Sequence, residues 1–319
     1  MHRKERDMKS ASVTGTPGRF VFFLALVSGI FSACSSAPKQ PAEVRIVRDA
    51  AAGRLEQANR EADWGNYAAA LSLATEARRM AVSVDDPALR VRTGLSIGNS
   101  LFFLGRRDEA DSAWRSALEE AETEGDAELA AVSRIYRLRG ELLSLIIPAE
   151  DANGGAPDAA RDSSRSAAEL RSQVQAELRA VKTDPLSAAL GWIVIGLAEK
   201  ELGRYREAED AFRTALAIHD KERYLEQAAY DWYLIASVFS VAGRYTDARA
   251  ALKEALRFDR RAENVYALGT DWLALGDVYS KEVRRDQAAA AYQRAAEILR
   301  SGGFTAEAEY AETRKDAWE

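Results

Sequence analysis

Apolar residues fall three and four positions apart over most of residues 51–300, the spacing of helices that each turn one face to a core. Alternation of β-branched residues with period two is nearly absent, so no sheet is expected. The helical pattern also recurs on a longer scale. The stretch GRYREAEDAFRTAL, residues 203–216, returns 40 residues later as GRYTDARAALKEAL, residues 243–256, with Gly, Arg, Tyr, Ala, a bulky apolar residue, Ala and Leu in the same places. Further copies begin at Gly65 (GNYAAALSLATEA) and Gly105 (GRRDEADSAWRSAL), and a weaker one at Val283 (VRRDQAAAAYQRAAEIL). Upstream of the last three, a second helical pattern carries Trp192, Trp232 and Trp272, again 40 apart. A small residue follows each tryptophan by four positions (Gly196, Ala236, Gly276), and Gly98 holds that place in an earlier copy.

Each copy therefore predicts a helix A, a short turn at the glycine and a helix B. The turn is marked by Gly105, Gly203 and Gly243, and Tyr205 and Tyr245 stand just beyond it. Small residues in helix A (Gly98, Gly196, Gly276) are expected to face small residues in helix B (Ala110, Ala208, Ala248), so that the two backbones approach closely. The bulky Trp114, Phe212, Leu252 and Tyr292 of helix B then fill the gaps and reach the next copy. One such pair cannot bury both of its apolar faces, so the copies must stack.

This pattern resembles the tetratricopeptide repeat in a longer-period form. The resemblance implies an all-α, right-handed α-solenoid of about six helix-turn-helix units over residues 50–305, starting near 51, 91, 131, 189, 229 and 269. The third unit is degenerate. Its helix A is AVSRIYRLRGELLSLII, its helix B spans about 165–182, and a Pro/Gly/Asp-rich insertion at about 148–164 reads as a loop. Residues 306–319 read as a charged helix that caps the open end.

The amino end carries a different signal. Arg3, Lys4, Arg6, Lys9 and Arg19 precede the apolar run FVFFLALVSGIFSA, which is short for a bilayer span and has the layout of a signal peptide over residues 1–33, whether translation starts at Met1 or Met8. The single cysteine, Cys34, follows directly, and IFSACSS resembles the lipobox of bacterial lipoproteins, with Phe31 where that family usually has leucine. The resemblance implies cleavage before Cys34 and acylation of it, with ~0.8 kcal/mol of anchoring per buried methylene. Residues 34–49 then read as a flexible tether, SSAPKQPAE at its start. The expected location is the bacterial cell envelope, lipid-anchored and facing the periplasm, at the inner or the outer membrane.

Composition narrows the chemistry. The net charge is −6, and loss of residues 1–33 removes five Lys/Arg and two Asp/Glu, moving it to −9. Nucleic acid is a poor partner for such a surface, and the lipid rather than the protein face should hold the membrane. One cysteine and two histidines, His2 and His219, offer no metal or haem constellation, so no cofactor is expected. His219 is expected to be solvated at a helix C-terminus, and the Glu119, Glu120, Glu122 and Glu124 cluster reads as a charged outer face. No phosphate loop or nucleophile elbow occurs, so no enzyme is expected.

The three tryptophans are expected in the core. Other helix A residues should line the concave wall: Asn99, Phe102, Phe103, Tyr136, Arg139, Tyr230, Tyr233, Ser237, Asp277 and Lys281. So many aromatics on an inner wall point to a surface that holds a protein partner or an extended peptide. The expectation is a binding scaffold, with two narrower alternatives: an accessory to a solute-uptake system that pairs with a periplasmic binding protein, or a cell-envelope assembly factor.

Overall fold

The computed structural model describes residues 45–147 and 166–317, and these form thirteen helices with no strand among them. Twelve make six hairpins: α1 (Ile46–Asp63) with α2 (Tyr67–Ser83), α3 (Pro87–Phe103) with α4 (Arg107–Thr123), α5 (Ala127–Ile146) with α6 (Ala167–Glu177), α7 (Pro185–Glu201) with α8 (Tyr205–Glu222), α9 (Leu225–Val241) with α10 (Tyr245–Ala262), and α11 (Val265–Lys281) with α12 (Arg285–Ser301). A single helix, α13 (Thr305–Asp316), packs on α12. Each helix packs on its predecessor and successor in the chain, the contact pattern of an all-α repeat solenoid. None of the described helices is long and apolar enough to cross a membrane. Residues 1–33, Cys34 and the insertion at 148–164 lie outside the described residues.

Local chemistry sets the helix ends. Helix A of several units opens on a capping side chain: Asp86 accepts from Leu89 N at 2.9 Å, Asp126 from Leu129 N at 2.9 Å, Asp184 from Ser187 N at 3.1 Å and Asn264 from Ala267 N at 3.0 Å. Pro87 and Pro185 occupy first-turn positions, where a missing N–H costs nothing. Helix A closes on a left-handed residue. Gly203 and Gly243 adopt φ of 72° and 76°, and Arg204 N then reaches back to Glu199 O at 2.9 Å. In the weakest copy Val283 is forced into the same conformation at φ 59°.

At the helix-helix seams a bulky side chain lies nearest the small residue of helix A. A Cβ built on Gly196 would meet the Phe212 ring, one on Gly276 the Tyr292 ring, and one on Gly98 the Trp114 indole. The small residue of helix A is thus a notch for the bulky residue sixteen positions later, and Ala236 and Leu252, both buried, stand at the same spacing. Ala110, Ala208 and Ala248 are fully buried. Trp114 also lies against Gly140 of α5 and donates from Nε1 to Leu95 O at 3.2 Å, joining three helices. Burying one such side chain contributes ~1.5–3 kcal/mol. The half-buried Tyr205 and Tyr245 pack on the core from the start of helix B. Trp192, Trp232 and Trp272 are half-buried, each bridging two neighbouring apolar clusters.

Three further differences concern ends. Helix α1 begins at Ile46, four residues inside the segment expected to be tether. Helix α6 is shorter than expected, ending at Glu177 after a capping box between Ser166 and Glu169 opens it. The last helix runs over Thr305–Asp316.

The stack also meets itself. Gln227 Nε2 of α9 donates to Asp63 Oδ2 at 2.9 Å, and Asn264 Nδ2, at the start of α11, donates to Asp63 O at 3.2 Å. The Tyr266 ring lies 3.0 Å from where a Cβ on Gly65 would stand. The first hairpin turn therefore touches the fifth and sixth hairpins, and the inner walls enclose a space.

Candidate functional site

That space is a cavity of about 330 Å³ lined by the inner faces of the helices. Asp63 and Tyr67 come from the first hairpin, Asn99 and Phe103 from α3, and Arg139 from α5. The other half supplies Glu226, Gln227, Tyr230 and Tyr233 from α9, His219 and Asp259 from the ends of α8 and α10, and Tyr266, Thr270 and Asp271 from α11. Tyr67 and Phe103 stack at 4.8 Å, and Tyr230 and Tyr233 stack at 6.3 Å. Arg139 donates to Asn99 Oδ1 at 2.5 Å and lies over the Phe103 ring at 5.5 Å. Tyr230 is 46% exposed and Phe103 37%, and both rings open into this interior space.

Of the residues expected on the concave wall, Asn99, Phe103, Arg139, Tyr230 and Tyr233 meet in the cavity. Phe102 does not. It is 6% exposed and turned into the core, 5.9 Å from the Trp114 ring, because its neighbour Phe103 takes the inward-facing helical position. Tyr136 is half-buried against the core of the N-terminal half. Ser237, Asp277 and Lys281 lie beyond the cavity in bonds between helices: Lys200 Nζ donates to Ser237 Oγ at 3.0 Å, Lys281 Nζ to Ser240 Oγ at 2.8 Å, and Tyr292 Oη and Arg314 donate to Asp277 Oδ1 at 2.7 and 2.5 Å.

His219 overturns its expectation of solvation. It is 3% exposed, and its Nδ1 lies 2.6 Å from Asp231 Oδ2, itself fully buried. Burial raises the Asp231 carboxyl to about 6, against the lowering effect of the histidine bond. One repeat later the same two places hold Asp259 and Asp271, 12 residues apart like His219 and Asp231. Burial pushes Asp259 up to about 7, opposed by a hydrogen bond from Asp271. Asp271 is raised by burial first and then by repulsion from Asp259. One proton shared between the two carboxyls accounts for both directions. Asp63 is raised to about 7, first by loss of hydration inside the enclosed space and then by repulsion from Glu226. Burial also raises the Tyr233 hydroxyl to about 12.

Sequence reasoning missed these carboxyls, and the missed signal was the pair of positions 219/231 and 259/271, which recur at the repeat period. It also missed Tyr67 and Tyr266, which follow a helix B turn and a helix A cap.

A tetratricopeptide repeat model matches residues 189–220, which are most of α7 and α8. No curated protein matches the chain in sequence. Solved structures similar in fold include two that cover most of this chain. A Rap protein complexed with competence and sporulation factor is 13% identical, with a TM-score of 0.54 over 83% of this chain and 73% of that one. The apo form of RapI is 14% identical, with a TM-score of 0.51 over 84% and 71%. The described chain has the fold of an all-α solenoid of tetratricopeptide type.

Proposed function

We propose that this chain is a non-catalytic binding scaffold that receives a protein segment or extended peptide in the interior cavity. The observation that carries it is the convergence of Tyr67, Phe103, Tyr230, Tyr233 and Tyr266 from both halves of the solenoid onto one space. Aromatic rings open to an interior are costly to leave wet and are strong anchors for a partner. The Rap protein of similar fold is complexed with a factor, which supports the reading as an analogy of fold alone.

The same reading places the scaffold in a bacterial envelope, held by lipid on Cys34 at the end of its signal-like segment. No nucleic acid and no cofactor is invoked. Two narrower alternatives to the general scaffold are an accessory to a solute-uptake system that pairs with a periplasmic binding protein and an envelope assembly factor. Co-purification from solubilised membranes with wild type, Tyr233→Ala and the outer-face control Glu122→Ala tests the scaffold. Loss of partners with Tyr233→Ala alone supports it, and retention of every partner overturns it. Cys34→Ala should abolish labelling by a fatty-acid analogue, and persistent label would remove the lipid anchor.

A further inference from the structure

The cavity is lined by more carboxyl groups than cationic side chains. Asp63, Glu226, Asp259 and Asp271 line it, with Arg139 as the cationic side chain among the lining residues. Arg139 is engaged with Asn99 and Phe103. None of the four carboxyls has an ion-pair partner among the described residues, whereas the equivalent place one repeat earlier supplies His219 to Asp231. Asp259 and Asp271 are each 2% exposed and are hydrogen-bonded to one another. Asp63 and Glu226, by contrast, open onto the space and repel one another, which favours a cationic donor between them. Among the described residues no three His, Cys, Asp or Glu side chains converge as metal ligands, so a bare metal ion does not suit the donor set. The aromatic faces of Tyr67, Tyr230, Tyr233 and Tyr266 beside these carboxyls suit an organic cation.

We propose that the cavity contains a subsite for an ammonium or guanidinium group of the bound segment, a lysine or arginine side chain, seated at Asp63 and Glu226 in front of the Asp259–Asp271 pair. This rests on the scaffold reading above and adds the chemistry of the ligand to it. The cation's N–H groups meet the open carboxylates Asp63 and Glu226, and its charge offsets the field of the two carboxyls behind them. The tyrosine rings flank its aliphatic stem. Arg139, on the other wall, is left to a carbonyl or carboxylate of the same segment.

The test is calorimetric titration of the full chain in detergent with Nα-acetyl-arginine methylamide, against Nα-acetyl-norleucine methylamide and tetramethylammonium. The arginine derivative should bind, and Glu226→Gln and Asp63→Asn should each weaken it about tenfold or more, while Glu122→Gln leaves it unchanged. Circular dichroism of each variant confirms the fold, and Glu226, only half-buried, keeps the test open should Asp63→Asn unfold. The proposal is overturned if the arginine derivative gives no binding, if the norleucine derivative binds as well, or if both carboxyl variants retain full affinity. Equal binding of tetramethylammonium, which has no N–H donor, would assign recognition to the rings and overturn the carboxylate role. The two readings separate cleanly. Binding of the arginine derivative with no partner ever captured leaves the subsite and removes the scaffold. Capture of partners whose affinity ignores their basic residues and Glu226→Gln leaves the scaffold and removes the subsite.

Discussion

The Phe212 ring occupies the volume that a side chain at Gly196 would need, its Cζ 2.9 Å from the place of a Cβ there. Ring and notch are rigid parts of two packed helices, so neither yields cheaply. Gly196→Ala should therefore destabilise the chain by about 1–3 kcal/mol, despite its better helix propensity. Denaturant unfolding measures this, and pairing it with Phe212→Leu should recover part of the loss.

Val283 bears a β-branched side chain at φ 59°, where the parallel turns use Gly203 and Gly243. The left-handed region costs such a residue about 1–2 kcal/mol. Val283 is 68% exposed, so little packing is lost on its removal. Val283→Gly should raise stability by roughly 1 kcal/mol, and Gly243→Val should lower it, both read as shifts in thermal midpoint.

His219→Ala would leave Asp231 buried without its partner. Removing one side of a buried pair costs about 3–5 kcal/mol. The double variant His219→Leu/Asp231→Leu should cost much less than His219→Ala, since no charge is then stranded. Equilibrium unfolding of the three variants checks the order.

The Asp259–Asp271 pair makes stability depend on pH. Both carboxyls are raised above the ordinary 3.8, Asp259 to about 7. In the folded chain they hold a proton that the unfolded chain releases near pH 4. Their stabilising contribution is therefore complete below about pH 4 and is lost as pH rises through about 7. Asp271→Asn, which imitates the protonated carboxyl, should flatten this fall, so its gain over wild type should be larger at about pH 8 than at about pH 5. Denaturant titrations at the two pH values measure the difference.

Arg139→Ala should weaken capture of partners while leaving the thermal midpoint within a few degrees, because its bond to Asn99 lies in the open cavity rather than the core. A large loss of stability would mean that Arg139 mainly braces α3 against α5.

The repeat was legible because its turn glycines, alanines and tryptophans keep one period, and the aromatic half of the site followed because Phe103, Tyr230 and Tyr233 sit on helix A. The partner of the notch was not legible. From Gly196, Ala208 and Phe212 are one helical turn apart, and either phase satisfies the spacing. The buried acids were hidden for another reason. A lone aspartate reads as solvated, and only the packing of helix A against the end of the preceding helix B brings His219 to Asp231 and Asp259 to Asp271. The meeting of Asp63 with Gln227 and Asn264 depends on curvature summed over five hairpins, which no local pattern encodes.

An open stack of hairpins can fray from either end, one unit at a time. Here the turn after α1 is tied by two hydrogen bonds to helices 164 and 201 residues further on, so the array behaves as a hoop with a weak clasp. The first hairpin cannot detach without opening the cavity, and the cavity cannot widen without releasing the first hairpin. Asp63 belongs to the clasp and to the cavity wall at once. Whatever occupies the cavity therefore also decides how long the hoop stays fastened, and amide hydrogen exchange along α1 becomes a gauge of occupancy.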